Sequence, residues 1–177
     1  MQLTLVPHPA APPSEPFKVW VDVQHASMLG AVASTQLWFC VGAPIDRFVL
    51  PESGEPRRAD DLWQATCFEL FLKTEGEQAY REWNFASSGA WAAYDFDLYR
   101  EGRLDAPVAH PPHIQLQDNL TWWQLGATVA VEAAPAWQMG LSAILEEKDG
   151  TRSYWALAHG TEEPDFHDPG CFAARLA

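Results

Sequence analysis

The chain has 177 residues, 47% of them hydrophobic and 20% charged, with 24 acidic against 11 basic side chains and a formal charge of -13. That length suits one domain with a substantial core, and no run of about 18 apolar residues offers a membrane-spanning helix. The acidic balance repels phosphate backbones and anionic headgroups, so neither nucleic acid nor membrane is an expected partner.

The chain opens with MQLTLVPHPAAPPSEP, which has neither a basic n-region nor a continuous apolar h-region, so the expected location is cytoplasmic. Residues 1–16 read as a Pro-rich segment or an edge strand, and 17–177 as a single domain. Strand-like alternation begins with Phe17, Val19, Val21 and Val23, and returns at Leu37, Phe39 and Val41. Residues 26–34 could form one helical turn. Residues 46–50 suggest a short strand ended by Pro51, and the polar stretch PESGEPRRAD at 51–60 is a loop.

Three strands follow at 62–73, 79–86 and 90–99. They are joined by the hairpin-length turns Glu75-Gly76-Glu77 and Ser87-Ser88-Gly89. After a loop marked by Pro107, Pro111 and Pro112, further strands are expected at 113–117, 120–131, 139–147 and 151–158. Asp149-Gly150 makes the last turn. About ten strands with little helical periodicity predict an all-β protein. Two packed antiparallel sheets, a β-sandwich, would bury such half-apolar strands, with a closed barrel as the competing architecture.

Cys40, Cys67 and Cys171 are odd in number, widely spaced and without a CxxC pair, so reduced thiols are expected. Neither a P-loop nor G-x-G-x-x-G is present, and Ser87-Ser88-Gly89 lacks the flanks of a nucleophile elbow.

The tryptophans carry more information, because each supplies a large apolar surface with one polar N–H and can serve a core or a ligand platform. Trp63, Trp91 and Trp155 are candidate platforms, together with Tyr94. Of the adjacent Trp122 and Trp123, which face opposite ways, one is expected in the core. On successive strands Cys67, Glu69 and Phe71 share one face, as do Tyr80, Glu82 and Asn84. If the register aligns these faces, carboxylates and an amide meet an aromatic surface, the mixture a sugar requires. The alternative is a set of solvated or structurally bonded strand carboxylates.

Arg47 is a further candidate polar contact, able to pair with a carboxylate of the tail. That tail, with His159, Asp165, His167 and Asp168, is a weak candidate metal site, because no third ligand is fixed by spacing; a loop locked by hydrogen bonds is the alternative. Paired carboxylates also permit glycoside hydrolysis in principle, but no second motif supports catalysis.

Three segments, LWQATCFELFL at 62–72, YREWNFASSGAWAAYDFDLYR at 80–100 and GLSAILEEKDGTRSYWALAHGTEEPDFHDPGCF at 140–172, carry a family likeness. The W-x-x-x-x-x-E strand followed by E-x-N-F-x-x-S-G-x-W-x-x-Y resembles bacterial DOMON-like proteins related to the family 9 carbohydrate-binding modules. Some relatives are fused to a UDP-N-acetylenolpyruvoylglucosamine reductase. The resemblance implies a jelly-roll-like β-sandwich, and ligands that in broader relatives are sugars or haem.

Haem relatives use a Met and a His as axial ligands. Met1, Met28 and Met139 match neither context, so no haem or other cofactor is expected. The function expected is a non-catalytic domain binding a carbohydrate or related small molecule, as a monomer or small homo-oligomer. A structural or protein-interaction module is the alternative, and a sugar-processing enzyme the third reading.

Overall fold

The structure is a computed structural model, and it describes residues 1–27, 32–132 and 136–176. Within those residues thirteen strands make it all-β: β1 (Gln2–Pro7), β2 (Val19–Ser27), β3 (Val32–Val41), β4 (Arg57–Arg58), β5 (Cys67–Thr74), β6 (Tyr80–Phe85), β7 (Ala90–Phe96), β8 (Leu104–Asp105), β9 (His113–Asp118), β10 (Trp123–Glu132), β11 (Trp137–Glu146), β12 (Arg152–Ala156) and β13 (Ala174–Leu176). Among the described residues there is no α-helix, only the 3-10 turns Ile45–Arg47, Leu62–Gln64 and Pro169–Cys171.

The strands form one hydrogen-bonded path, β4-β7-β6-β5-β11-β12-β1-β2-β3-β10-β9, with β13 on β11 and β8 on β7. Pairing is antiparallel except between β4 and β7, which run parallel, so the arrangement is mixed where a purely antiparallel one was expected. Residues 2–7 form a strand inside the path rather than at its edge. Leu3 and Leu5 pair with Val21 and Val19 of β2, while Val6 and Pro7 pair with β12, so β1 connects the two halves of the path.

Inward residues obey the period of two: Val19, Val21 and Val23 of β2, Leu37, Phe39 and Val41 of β3, and Trp123, Leu125, Ala127 and Val129 of β10 are all buried. They meet Phe68, Leu70, Trp83, Phe85 and Leu141 of the other half. The Phe39 and Phe68 ring centroids lie 5.1 Å apart, and Phe68 meets Trp123 edge-on at 5.7 Å. The path therefore curls until its inner faces touch.

Several local expectations shift. Residues 46–50 form a 3-10 turn and an isolated bridge between Phe48 and Glu147 rather than a strand. Residues 62–64 form another 3-10 turn, and the strand starts at Cys67. Ala26 and Ser27 belong to β2 and 32–34 to β3, which removes most of the suggested helical turn; residues 28–31, Met28 included, lie outside the described residues. Met139 is fully buried in the core.

One departure from simple alternation matters for function. Along β5, β6 and β7 both faces are largely buried. The inner face packs into the core, and the outer face is roofed by the 3-10 turn Leu62–Gln64 and the loop containing Phe166, His167 and Phe172. Those rings form a second apolar cluster with Phe71, Tyr80, Tyr94 and Phe96. Polar residues on that outer face are thus taken out of bulk water.

Candidate functional site

Register brings the outer-face polar groups together. Glu69 pairs across the strands with Asn84 on one side and Ser142 on the other, and Glu82 stands opposite Tyr94. Asn84 Nδ2 donates to Glu82 Oε1 at 2.5 Å, Ser142 Oγ donates to Glu69 Oε2 at 2.8 Å, and Cys67 Sγ lies 3.5 Å from Asn84 Oδ1. The carboxylates sit on a diagonal of the sheet, close enough to repel one another.

Above them lie two adjoining depressions of about 450 and 260 Å³, which share Trp63, Glu82, Arg100 and His167. The larger is also lined by Glu69, Ile144, Tyr154 and Phe166, and the smaller by Asp61, Tyr94 and Arg103. Trp63 is 51% exposed at their rim. Its turn is entered through Asp61 in the left-handed conformation (φ 58°), which Asp tolerates better than most residues. Ala10 and Ala11 of the N-terminal segment complete one wall.

Electrostatics follow from burial. Desolvation, with the neighbouring Glu82 adding to it, pushes the Glu69 carboxyl up to about 8, so at neutral pH it is a neutral acid that can both donate and accept. Glu82 is also raised by desolvation, offset by the Asn84 hydrogen bond and the charges of Arg103 and Arg100. His167 is held down to about 4 by desolvation and by Arg100, and is neutral. Tyr80 Oη and His167 Nδ1 are 2.7 Å apart, with His167 Nε2 3.7 Å from Glu82 Oε2. Arg100 is anchored by Asp165 at 2.7 Å, and Asp165 also accepts the Tyr99 hydroxyl. The Arg103 guanidinium lies 3.9 Å from the Tyr94 ring centroid, and Tyr94 Oη donates to Asp60 at 2.5 Å.

A pH dependence follows from Glu69. Its folded pKa lies above its ordinary value, so the unfolded chain releases the proton first and stability declines as pH rises from the ordinary value of 4.5 through about 8. His167 opposes this only below its ordinary 6.5. Between pH 6.5 and 8 the melting temperature should therefore fall, with a slope of at most about 1.4 kcal/mol per pH unit for one proton. Thermal scans of Glu69→Gln should show that slope removed.

Of the candidate residues, Glu69, Glu82, Trp63 and Tyr94 line the depressions. Asn84 lies beneath them, hydrogen-bonded to Glu82. Trp91 and Trp155 do not belong there. Both point into the core, and Arg58 covers the Trp91 ring at 4.7 Å. Trp155 is 2% exposed and spends its N–H on Ser153 Oγ at 2.9 Å. Arg47 is also displaced: it pairs with Glu147 at 2.5 Å rather than with a tail carboxylate, and donates to Ser14 Oγ and the Glu15 carbonyl.

His159, Asp165 and His167 do not converge as a metal site. His159 Nε2 meets the Val6 carbonyl at 2.9 Å, Asp165 holds Arg100, and His167 meets Tyr80. Among the described residues no three His, Cys, Asp or Glu side chains are grouped to hold a metal. Sequence reasoning missed Arg100, Arg103, Tyr154 and Phe166. The two arginines sit in the turn LYREGR, whose basic character in so acidic a chain was the available signal.

No family model matches the chain, and no curated protein sequence matches it. Among solved structures it is similar to a candidate carbohydrate-binding protein from Bacteroides uniformis, with a TM-score of 0.62 and 15% identity over 97% of this chain and 83% of that one. It is also similar to a family 9 carbohydrate-binding module from Caldicellulosiruptor kristjanssonii in complex with glucose, with a TM-score of 0.47 and 12% identity over 82% of this chain and 69% of that one. At 15% identity the first likeness is one of fold.

Proposed function

We propose that this chain is a non-catalytic binding domain whose double depression takes a carbohydrate or related small molecule. The observation that carries the reading is the half-exposed Trp63 ring standing over a hollow whose floor holds Glu82 and Glu69 and whose rim holds Arg100. An indole face suits the C–H surface of a sugar ring, and fixed carboxyl, imidazole and guanidinium groups suit its hydroxyls. The Bacteroides uniformis protein, itself a candidate carbohydrate binder, has the same fold. With the W-x-x-x-x-x-E and E-x-N-F motifs, this supports reading the chain as a DOMON-like, jelly-roll-like two-sheet sandwich related to the family 9 modules.

Titration calorimetry against a panel of mono- and disaccharides, amino sugars included, tests the reading. Trp63→Ala should weaken binding at least tenfold, about 1.4 kcal/mol, and Glu82→Gln should weaken it too, because a neutral amide is the poorer acceptor. Silence of the whole panel, or affinities indifferent to both substitutions, would refute it.

One observation favours a second reading. A neutral Glu69 beside Glu82 in one hollow resembles the acid and base that glycoside hydrolysis needs. Release of nitrophenol from aryl glycosides, lost in Glu69→Gln, would replace the binding reading with that one.

A further inference from the structure

The binding reading leaves one face of the molecule unused: the outward side of β1, β2, β3, β10 and β9. Although the chain carries a formal charge of -13, this face is rich in amides and indoles, with Asp22 its one carboxylate in these rows. One row across its five strands runs Gln2, Asp22, Trp38, Gly126, Gln115. Its single carboxylate, Asp22, accepts from Gln2 Nε2 at 3.1 Å. In the next row Gln124 Nε2 donates to Gln117 Oε1 at 2.9 Å, with Trp20 two strands away. Gln36 stands beside Trp38 on β3, opposite Gln24.

Gly126 explains how Trp38 lies. A Cβ there would come within 2.7 to 2.9 Å of three consecutive ring atoms, Cε3, Cζ3 and Cη2. Near-equal distances to three adjacent atoms mean that the ring meets Gly126 with its face, not its edge. The indole is thus seated flat on the sheet in a space that only glycine leaves open, and its other face looks outward. Beside it is a shallow depression of about 280 Å³ bordered by Met1, Asp22, Gln24 and Gln124.

We propose that this face is a second, independent binding surface for an extended uncharged glycan, with Trp38 as the stacking platform and Gln36, Gln115 and Gln124 as hydroxyl partners. Each amide offers donors and acceptors together, which matches sugar hydroxyls and costs far less desolvation than an ionised group. A flat, half-buried indole suits a chain laid across the sheet rather than one residue held in a pocket. Self-association fits less well, because the centre of a dimer interface is mainly apolar and this face is mainly amide.

Affinity gel electrophoresis of the whole chain tests this, using gels containing a soluble β-1,4-glucan, a β-1,3-glucan, glucomannan or glycogen, with polygalacturonate as the charged counterpart. At least one neutral polymer should retard the protein. Trp38→Ala should cut that retention at least tenfold, and Gln36→Ala/Gln115→Ala several-fold, so the second variant decides if the first does not fold. Glu82→Gln should leave retention intact, which separates this face from the depression.

Four gel results would overturn the proposal: no retardation by any neutral polymer, equal retardation by polygalacturonate, retention that survives both face variants, or retention that disappears with Glu82→Gln. So would a sedimentation measurement showing a dimer that Trp38→Ala dissociates, which would make the face a contact between copies.

Discussion

Trp155→Ala should cost about 3–5 kcal/mol of folding stability, while Trp63→Ala should cost no more than about 0.5 kcal/mol. The two residues were indistinguishable as platform candidates on sequence grounds, yet their surroundings differ in kind. Trp155 is buried on the inner side of β12, packs its ring against Phe17 at 4.9 Å and has its N–H satisfied internally. Truncation leaves a cavity the size of an indole that neighbouring strands cannot close without giving up their own ladders. Trp63 stands half in solvent on a 3-10 turn, so its removal leaves no enclosed void. Urea unfolding of both variants, read beside their sugar titrations, separates the roles. A Trp155 variant as stable as the parent would contradict the core assignment.

Arg47→Ala should also destabilise strongly, by about 3 kcal/mol or more, because it strands a buried carboxylate. Glu147 is 2% exposed and accepts from Arg47 Nε at 2.5 Å, Ser14 N at 3.0 Å and Ser14 Oγ at 2.6 Å. Desolvation works against its charge, but the Arg47 and Ser14 hydrogen bonds prevail and hold the carboxyl below its ordinary value. The sign follows: this contribution is present above pH 4.5 and is lost as pH falls through the depressed folded pKa. The Arg47→Ala variant should therefore lose part of the parent's acid sensitivity.

Adding Glu147→Ala to it should recover some stability, since the stranded charge is then gone, and a double-mutant cycle on chemical denaturation measures the coupling. The effect should reach the proposed binding site as well. Ser14 ties down the segment whose Ala10 and Ala11 wall the depression, so sugar affinity should fall in Arg47→Ala even though Arg47 lines no part of it.

Much of the outer-face site could be read from residue spacing alone. Successive strand side chains point to opposite faces, so Cys67, Glu69 and Phe71 had to share a side, as did Tyr80, Glu82 and Asn84. Hairpin-length turns, with left-handed glycines at Gly89 and Gly150 (φ 86° and 91°), then made β6 pair with β7 and β11 with β12. The all-β class and the strand order within 67–96 follow from such local rules.

Alternation says which residues face together, but not which face meets the core. β7 is largely apolar on both sides, so pattern alone left Trp91 free to be platform or core, and packing against the other half of the path chose core. The loop 159–168 was legible as polar, but not as a roof. Its Phe166 and His167 bury the outer face only because β5 and β6 lie beneath them, and that burial turns Glu69 from a solvated carboxylate into a neutral acid.

Arg47 and Glu147 stand 100 positions apart, and the segment that Ser14 anchors reaches the depression from the far end of the chain. Composition, alternation and turn chemistry act over a few residues, so this sequence by itself determined most of the longer strands and which of their residues share a face. Partner choice across long separations depends on how the path curls and what it desolvates, and that was decided by the tertiary structure.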